Sequence, residues 1–291
     1  MSSMPRRDPI LYLDGEFVPA ATATVSVDDR GFLFADGCYE VTVAVEGHCI
    51  ALDRHLARLQ RALDTLRIEF DAASLAPIHH ELIDRNELAR SPMASIYVQV
   101  TRGVAPRAHA FPVGVAPTVL VRAQELAGPS RSAVEHGSRA ITADDIRWGR
   151  VDLKTTNLLP NVLAQQSALD AGVDDVILHR DGVVTEGSHT NVFGVIGAAL
   201  VTAPADHRIL PGVVRGIVIE SALAAGVTVA EREWSLDELM AADEVFMTST
   251  TAGARPIVEV DGRPVGDGRR GPVTTRVQQL YAEFVEHERT H

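Results

Sequence analysis

"RWGRVDLKTTNLL", residues 147–159, holds the single lysine of the chain: of 27 Lys and Arg residues, 26 are arginine and one is Lys154. Arginine serves as a surface cation or ion-pair partner at least as well as lysine. Its guanidinium stays protonated, however, whereas a buried amine can lose its proton and attack a carbonyl. A lone amine in an arginine-using chain points to that chemistry, although biased codon usage with one leftover surface lysine explains the count equally well. The position of Lys154 adds to the first reading. It follows an extended segment and precedes a helix starting near residue 160, a strand-to-loop place where a side chain faces a cleft.

The rest of the chain bounds the setting. With 291 residues, 46% of them hydrophobic, it has enough apolar material for a large core and, since single cores seldom grow beyond roughly 250 residues, for two domains. The net charge of -12 and the scattering of the arginines argue against a polyanion-binding surface and so against nucleic acid as a partner. The N-terminus offers only the apolar stretch ILYL before Asp14-Gly15, too short for a signal-peptide core. "VFGVIGAALV", residues 192–201, is the longest near-apolar run and about half of what a membrane span requires. These features imply a cytoplasmic protein. Cys38 and Cys49 lack metal-ligand or redox spacing and are expected as reduced, packed side chains. His287 and His291, four apart near the end, read as a frayed polar terminus, so no metal is expected.

Periodicity predicts an α+β chain in two parts. LYL, the Asp14-Gly15 turn and EFV form a hairpin, and "YEVTVAVEGHCIAL" forms another with Glu46-Gly47 at its tip. "DRHLARLQRALDTL" places Leu56, Leu59, Leu63 and Leu66 on one helical stripe with Asp53 as its cap. A second helical stretch covers 74–88, and "ASIYVQVTRG" and "TVLVRA" are strands. "QELAGPSRSA", rich in turn formers, reads as a linker over 124–133, giving an N-terminal α/β domain over 1–123 and a C-terminal domain over 134–291 that carries the lysine. In the second part, "NVLAQQSALDAG" is a helix stopped at Gly172 and residues 176–202 make three or four short strands. "PGVVRGIVIESALAAG" is a helix running from Pro211-Gly212 to Gly226.

Four distant segments then suggest one chemistry. Besides Lys154, Glu186 ends the "VVTE" strand before Gly187, the helix start at Val213 and Val214 offers free backbone N–H groups to an anion although most such starts bind nothing, and "TSTT", residues 248–251, offers four adjacent hydroxyls that suit phosphate oxygens but equally a strand end or turn. An amine, an acid for a ring nitrogen and a phosphate cradle are what pyridoxal 5'-phosphate requires. At this point the chain resembles the fold type IV aminotransferases, most nearly the bacterial D-amino-acid transaminases. The resemblance spans almost the whole chain through "DRGFLFADGCYEV" (29–41), "YVQVTRGVAPRAHAFP" (97–112), "DIRWGRVDLKTTNLLPNVLA" (145–164), "VTEGSHTNVF" (184–193) and "DEVFMTSTT" (243–251).

The resemblance implies the two-domain architecture of that fold and a ping-pong transamination of D-amino acids, of the type D-alanine plus 2-oxoglutarate. It assigns Lys154 to the Schiff base and the moving proton, and Glu186 to the pyridine nitrogen. Arg58, Ser249, Thr250 and the backbone of Val213 and Val214 fall to the phosphate. On its helix alone Arg58 cannot be told from Arg54 or Arg61. Tyr39, with Arg107 and His109 of "RAH", is implied to bind the substrate α-carboxylate, the latter two from the neighbouring subunit of a homodimer. Two departures stand out: Val214 replaces a frequent threonine and His189 a frequent serine. Rival activities on the same fold are a branched-chain L-amino-acid aminotransferase, an R-selective amine transaminase and aminodeoxychorismate lyase, against which the RxH pair argues. A non-catalytic cofactor-binding homologue is the rival from another class, disfavoured by intact Lys154 and Glu186.

Overall fold

The computed structural model describes residues 8–290 and divides the chain into two compact units. His291, half of the His287/His291 pair, lies outside the described residues.

Among the described residues the first unit comprises 8–127 together with 154–157 and 288–290. Its elements are β1 (Ile10–Leu13), β2 (Glu16–Pro19), α1 (Arg30–Phe34), β3 (Gly37–Val45), β4 (His48–Cys49), α2 (Leu52–Leu66), α3 (Ala76–Arg85), β5 (Ala94–Thr101) and β6 (Thr118–Glu125). The strands form one sheet in the order β2-β1-β6-β5-β3-β4, every pair antiparallel. The expected stripe of α2 covers this sheet: Leu56, Leu59 and Leu63 are buried against Ile96, Val98 and Val100 of β5, with Leu66 half-buried at the end of the row. Side chains alternate across a strand, so the β3 residues Cys38, Glu40, Thr42 and Ala44, all buried, face one way and Tyr39 faces the other.

Asp53 does not cap α2. The chain enters that helix through Ala51 in the left-handed conformation, which leaves Asp53 in the first turn, where its charge complements the helix dipole without a capping bond.

The second unit comprises 128–153 and 158–287. It contains α4 (Arg131–Glu135), β7 (Ser138–Asp144), α5 (Leu159–Asp170), β8 (Asp175–Arg180), β9 (Val183–Gly187), β10 (Asn191–Ile196), β11 (Ala199–Thr202) and α6 (Val213–Ala224). These are followed by β12 (Val229–Glu231), α7 (Leu236–Met240), β13 (Glu244–Ser249), β14 (Gly253–Val260), β15 (Arg263–Pro264) and α8 (Pro272–Thr290), whose residues from Glu288 on count with the first unit. A mixed sheet runs β12-β11-β10-β13-β14-β7-β8-β9, with β15 paired to β14. Alternation divides its residues between two cores. Val192, Val245 and Met247 belong to one with Trp234 and Leu239. Phe193, Val195 and Phe246 belong to the other with Val214 and Val218 of α6. Phe193 and Phe246 are register partners whose rings stack at 4.8 Å.

The boundary differs in detail from the sequence expectation. β6 runs on to Glu125 and α4 starts at Arg131, so only residues 126–130 of the expected linker lack regular structure. Lys154, expected in the C-terminal part, lies with the first unit. Its segment is tied to β3 by backbone bonds from Tyr39 N to Lys154 O (2.9 Å) and from Thr156 N to Gly37 O (3.1 Å), and by a bridge between Cys38 and Thr155. A four-residue extended segment carries no hydrophobic period, so its pairing with a strand more than 100 positions earlier leaves no local trace.

Candidate active site

In the first unit the structure brings Lys154 and Tyr39 together. The half-buried amine lies 3.2 Å from the Tyr39 hydroxyl and 4.3 Å from the centre of its ring. Tyr39 stacks at 5.7 Å on Tyr97, whose phenol pKa is pushed up to about 12 by burial. The backbone pairing of Lys154 with β3 fixes the root of the lysine chain, so only its flexible stem remains to be oriented.

Arg58 emerges from α2 onto the other face of β3. It is buried, and donates from Nε to Glu40 Oε2 (2.9 Å) and from Nη2 to Glu40 Oε1 (2.6 Å); His55 Nδ1 stands 3.0 Å from the same Oε1. Burial raises the pKa of Glu40, but Arg58 and His55 outweigh it and hold the carboxyl well below the usual range. The fork of Arg58 is thereby set in one orientation. Arg107 and His109 lie on the exposed loop after β5. Both meet one ring, that of Phe34, with the Arg107 guanidinium 5.1 Å and the His109 ring 5.6 Å from its centre.

In the second unit Glu186 is 4% exposed near the end of β9. Its Oε1 accepts from Arg147 Nη1 (2.5 Å), and its Oε2 accepts from Asn191 Nδ2 (2.9 Å) and Leu210 N (3.0 Å). Arg147 in turn makes bonds of 2.8 and 2.7 Å to Asp145, which also takes 3.1 Å bonds from Arg147 N and from Thr185 Oγ1. Desolvation lifts the Glu186 pKa above the ordinary glutamate value, and Arg147 works against that rise. The carboxyl is thus a desolvated acid with one cation and two neutral donors.

Asn191 joins this acid to the start of α6. A Cβ added at Gly212, the residue preceding α6, would lie 2.0 Å from Asn191 Oδ1. Gly212 makes no side-chain cap, so the helix-start amides of Val213 and Val214 lack a capping oxygen there. Asn191 is also the register partner of Thr248, whose buried hydroxyl has no hydrogen-bond partner. Ser249 and Thr250 follow at the half-buried tip of the β13–β14 hairpin. His189 is exposed, with its Nδ1 2.7 Å from Ser188 Oγ.

These features test the fit of pyridoxal phosphate. Taken each within its own unit, the phenol-contacted amine of the first, and the buried acid and the helix start with an orphaned buried hydroxyl of the second, are groups of the kinds that its carbonyl, ring nitrogen and phosphate take. Val214 offers a backbone amide at the helix start and no side-chain hydroxyl.

Sequence reasoning missed Arg147, Asp145, Asn191, Glu40 and His55. Glu40 had a signal: it shares the period of Cys38, Thr42 and Ala44, and a charge on a buried face requires a partner. Asp145 lies two positions from Arg147 and Asn191 five from Glu186, but the bonds from Arg147 to Glu186 and from His55 to Glu40 are tertiary contacts that no short spacing announces.

Comparison with known proteins agrees with this picture. The model of the family described as "Amino-transferase class IV" matches residues 37–260. D-alanine aminotransferase of Bacillus licheniformis is 39% identical over 270 residues, covering 92% of this chain and 94% of that protein. The enzyme of the same name from Staphylococcus haemolyticus is 35% identical over 279 residues, covering 95% and 98%. Among solved structures, the T.th. branched-chain amino acid aminotransferase with pyridoxamine 5'-phosphate superposes with a TM-score of 0.88 at 28% identity, covering 98% of this chain and 96% of that one.

Proposed function

This chain belongs to the class IV aminotransferases, and from that premise we propose that it transfers an amino group between a D-amino acid such as D-alanine and a 2-oxo acid such as 2-oxoglutarate, using pyridoxal phosphate. The observation that carries the reading is the lone lysine amine held against Tyr39 in a chain whose curated relatives are D-alanine aminotransferases.

When bound, the cofactor supplies a carbonyl for the amino group and a ring that accepts electrons from the substrate carbon. Lys154 would hold it through its amine, and the Lys154 Nζ would move the proton at the substrate carbon. The Tyr39 hydroxyl at 3.2 Å orients the amine and offers a hydrogen bond to either of its protonation states. Glu186 holds a proton at the ring nitrogen; Arg147 counters the effect of burial, and Asn191 and the Leu210 amide fix the carboxylate plane. Val213 and Val214 amides, Ser249, Thr250 and Arg58, its fork oriented by Glu40, hold the phosphate. Tyr39, Arg107 and His109 receive the substrate carboxylate, a task that suits two polar side chains gathered over one ring.

The active species is a homodimer in which Arg107 and His109 serve the neighbouring subunit's site. Exposed apolar side chains support an interface: Leu159, Val162, Leu163 and Leu169 on α5 are each more than half exposed, as is Phe32 on α1. We place the protein in the cytoplasm, in keeping with two free cysteines. Among the described residues no helix is long and apolar enough to cross a membrane.

The test is the visible absorption of the cofactor-loaded protein. Bleaching by D-alanine and not by L-leucine is expected, and bleaching by L-leucine alone would replace this reading with a branched-chain one. Lys154→Arg is expected to abolish both the lysine-dependent band and transamination without lowering thermal stability; retained activity would overturn the assignment of Lys154.

A further inference from the structure

The loop after β5 presents Arg107 and His109 from an exposed stretch without regular structure, where side-chain ordering would ordinarily oppose ligand binding. In this chain the stretch is gripped from below. Arg30, 3% exposed on α1, donates from Nη1 to Ala108 O (2.5 Å) and Ala110 O (3.5 Å), and from Nη2 to His109 O (3.5 Å). One guanidinium thus engages three successive carbonyls around the RAH motif.

That guanidinium is itself fixed. Its Nε donates to Asp36 Oδ2 (2.7 Å), and Asp36 accepts two further bonds from Arg102, of 2.8 and 2.9 Å. Two further bonds from Arg102 go to the carbonyls of Leu66 and Arg67 at the end of α2. The frame therefore extends from the loop through two arginines and one aspartate to the core helix.

The side chains are held as well as the backbone. The Phe34 ring, on the same short helix as Arg30, meets the guanidinium of Arg30 at 4.8 Å and that of Arg107 at 5.1 Å, and the ring of His109 at 5.6 Å. α1 is closed at both ends, by Asp29 accepting from Gly31 N and by Ala35 in the left-handed conformation, so Arg30 and Phe34 stand on a defined turn.

We infer that Arg30 and Phe34, braced by Asp36 and Arg102, are positioning residues that set where Arg107 and His109 meet the substrate carboxylate, and so set carboxylate specificity. The inference rests on the proposed role of Arg107 and His109 and adds to it the residues that make the pair effective. Ordering the pair before substrate arrives lowers the cost of binding, which appears in KM more than in kcat.

The experiment is steady-state kinetics with D-alanine on cofactor-loaded Phe34→Leu, Arg30→Lys and Arg107→Leu proteins, and on the Phe34→Leu, Arg107→Leu double variant. Phe34→Leu is expected to raise KM for D-alanine about 10-fold with kcat within about twofold, while the visible band and melting temperature stay unchanged. Arg30→Lys retains a charge without the fork and is expected to raise KM less than Phe34→Leu. In the Arg107→Leu background the Phe34 substitution is expected to raise KM clearly less than it does alone, because only His109 is left for it to position. If Arg107→Leu leaves KM unchanged, the proposed role of Arg107 falls and this inference with it. If Arg107→Leu raises KM while the Phe34 and Arg30 variants do not, or while their effects simply multiply with it, the positioning role is overturned and the function stands.

Discussion

Replacing Glu40 by glutamine removes the carboxylate that faces Arg58 and His55 inside the first unit. All three residues are at most 5% exposed, and Glu40 takes bonds of 2.9 and 2.6 Å from Arg58. Glutamine keeps one acceptor oxygen but turns the other position into a donor that confronts the guanidinium. Removing one partner of a buried pair costs about 3–5 kcal/mol, and the retained acceptor puts this case near the lower end, about 3 kcal/mol. For a protein of this size that corresponds to a fall in melting temperature of about 6–12 °C.

The pH dependence has a defined sign. Because the folded-state pKa of Glu40 is depressed, its contribution to stability is complete above the ordinary glutamate value of 4.5 and fades as pH falls toward the folded value. Glutamine does not titrate, so the gap between wild type and Glu40→Gln should be constant from about pH 7 to about pH 5 and narrow in stronger acid. Thermal unfolding followed by circular dichroism over that range measures both quantities. The double variant Glu40→Leu, Arg58→Met should recover most of the loss, since an apolar replacement of a whole buried pair is close to neutral. A gap below about 2 °C at neutral pH, or one that does not narrow in acid, would refute the buried ion pair as its cause.

Three further outcomes follow from geometry described above. Gly103 has φ +94° and a Cβ there would lie 2.0 Å from Ala116 O, so Gly103→Ala should destabilise by about 2–4 kcal/mol in thermal unfolding, and an unchanged melting temperature would contradict the packing. Arg147→Leu removes the cation that opposes the upward push of burial on Glu186, so the acid limb of the pH–rate profile should move to higher pH; an unmoved limb would separate Glu186 from the rate. Leu163→Asp places a charge on the exposed apolar row of α5 and should weaken self-association about 100-fold in sedimentation experiments, whereas an unaltered mass distribution would move the interface elsewhere.

What could be read from the residues was mostly what repeats along the chain. The α2 stripe, the alternation in β5, the Gly172 and Gly226 stops and the Asp14-Gly15 turn are local, and the structure has each where the pattern puts it. The amine at Lys154 was legible for a different reason, its rarity. The setting of that amine was not, because Tyr39 lies 115 positions away. The same holds for Arg147 with Glu186, and for Arg30 with Ala108, which are pairs created by topology. Asp53 shows the reverse error: a good capping residue two positions past the cap loses its role to the backbone geometry of Ala51.

The return of Lys154–Asn157 to the first unit bears on synthesis. When residue 127 leaves the ribosome every strand of the first sheet exists, yet the piece that pairs along Gly37 and Tyr39 has still to emerge. At about 5–20 residues per second, the next 30 or so residues leave β3 without that partner for a few seconds. During that interval the Tyr39 and Cys38 backbone is an open sheet edge, the kind of surface that recruits foreign strands. The reactive amine thus arrives as the strip that closes a vulnerable seam, so the segment is under two demands at once, and a variant there can lose yield in the cell before it loses chemistry.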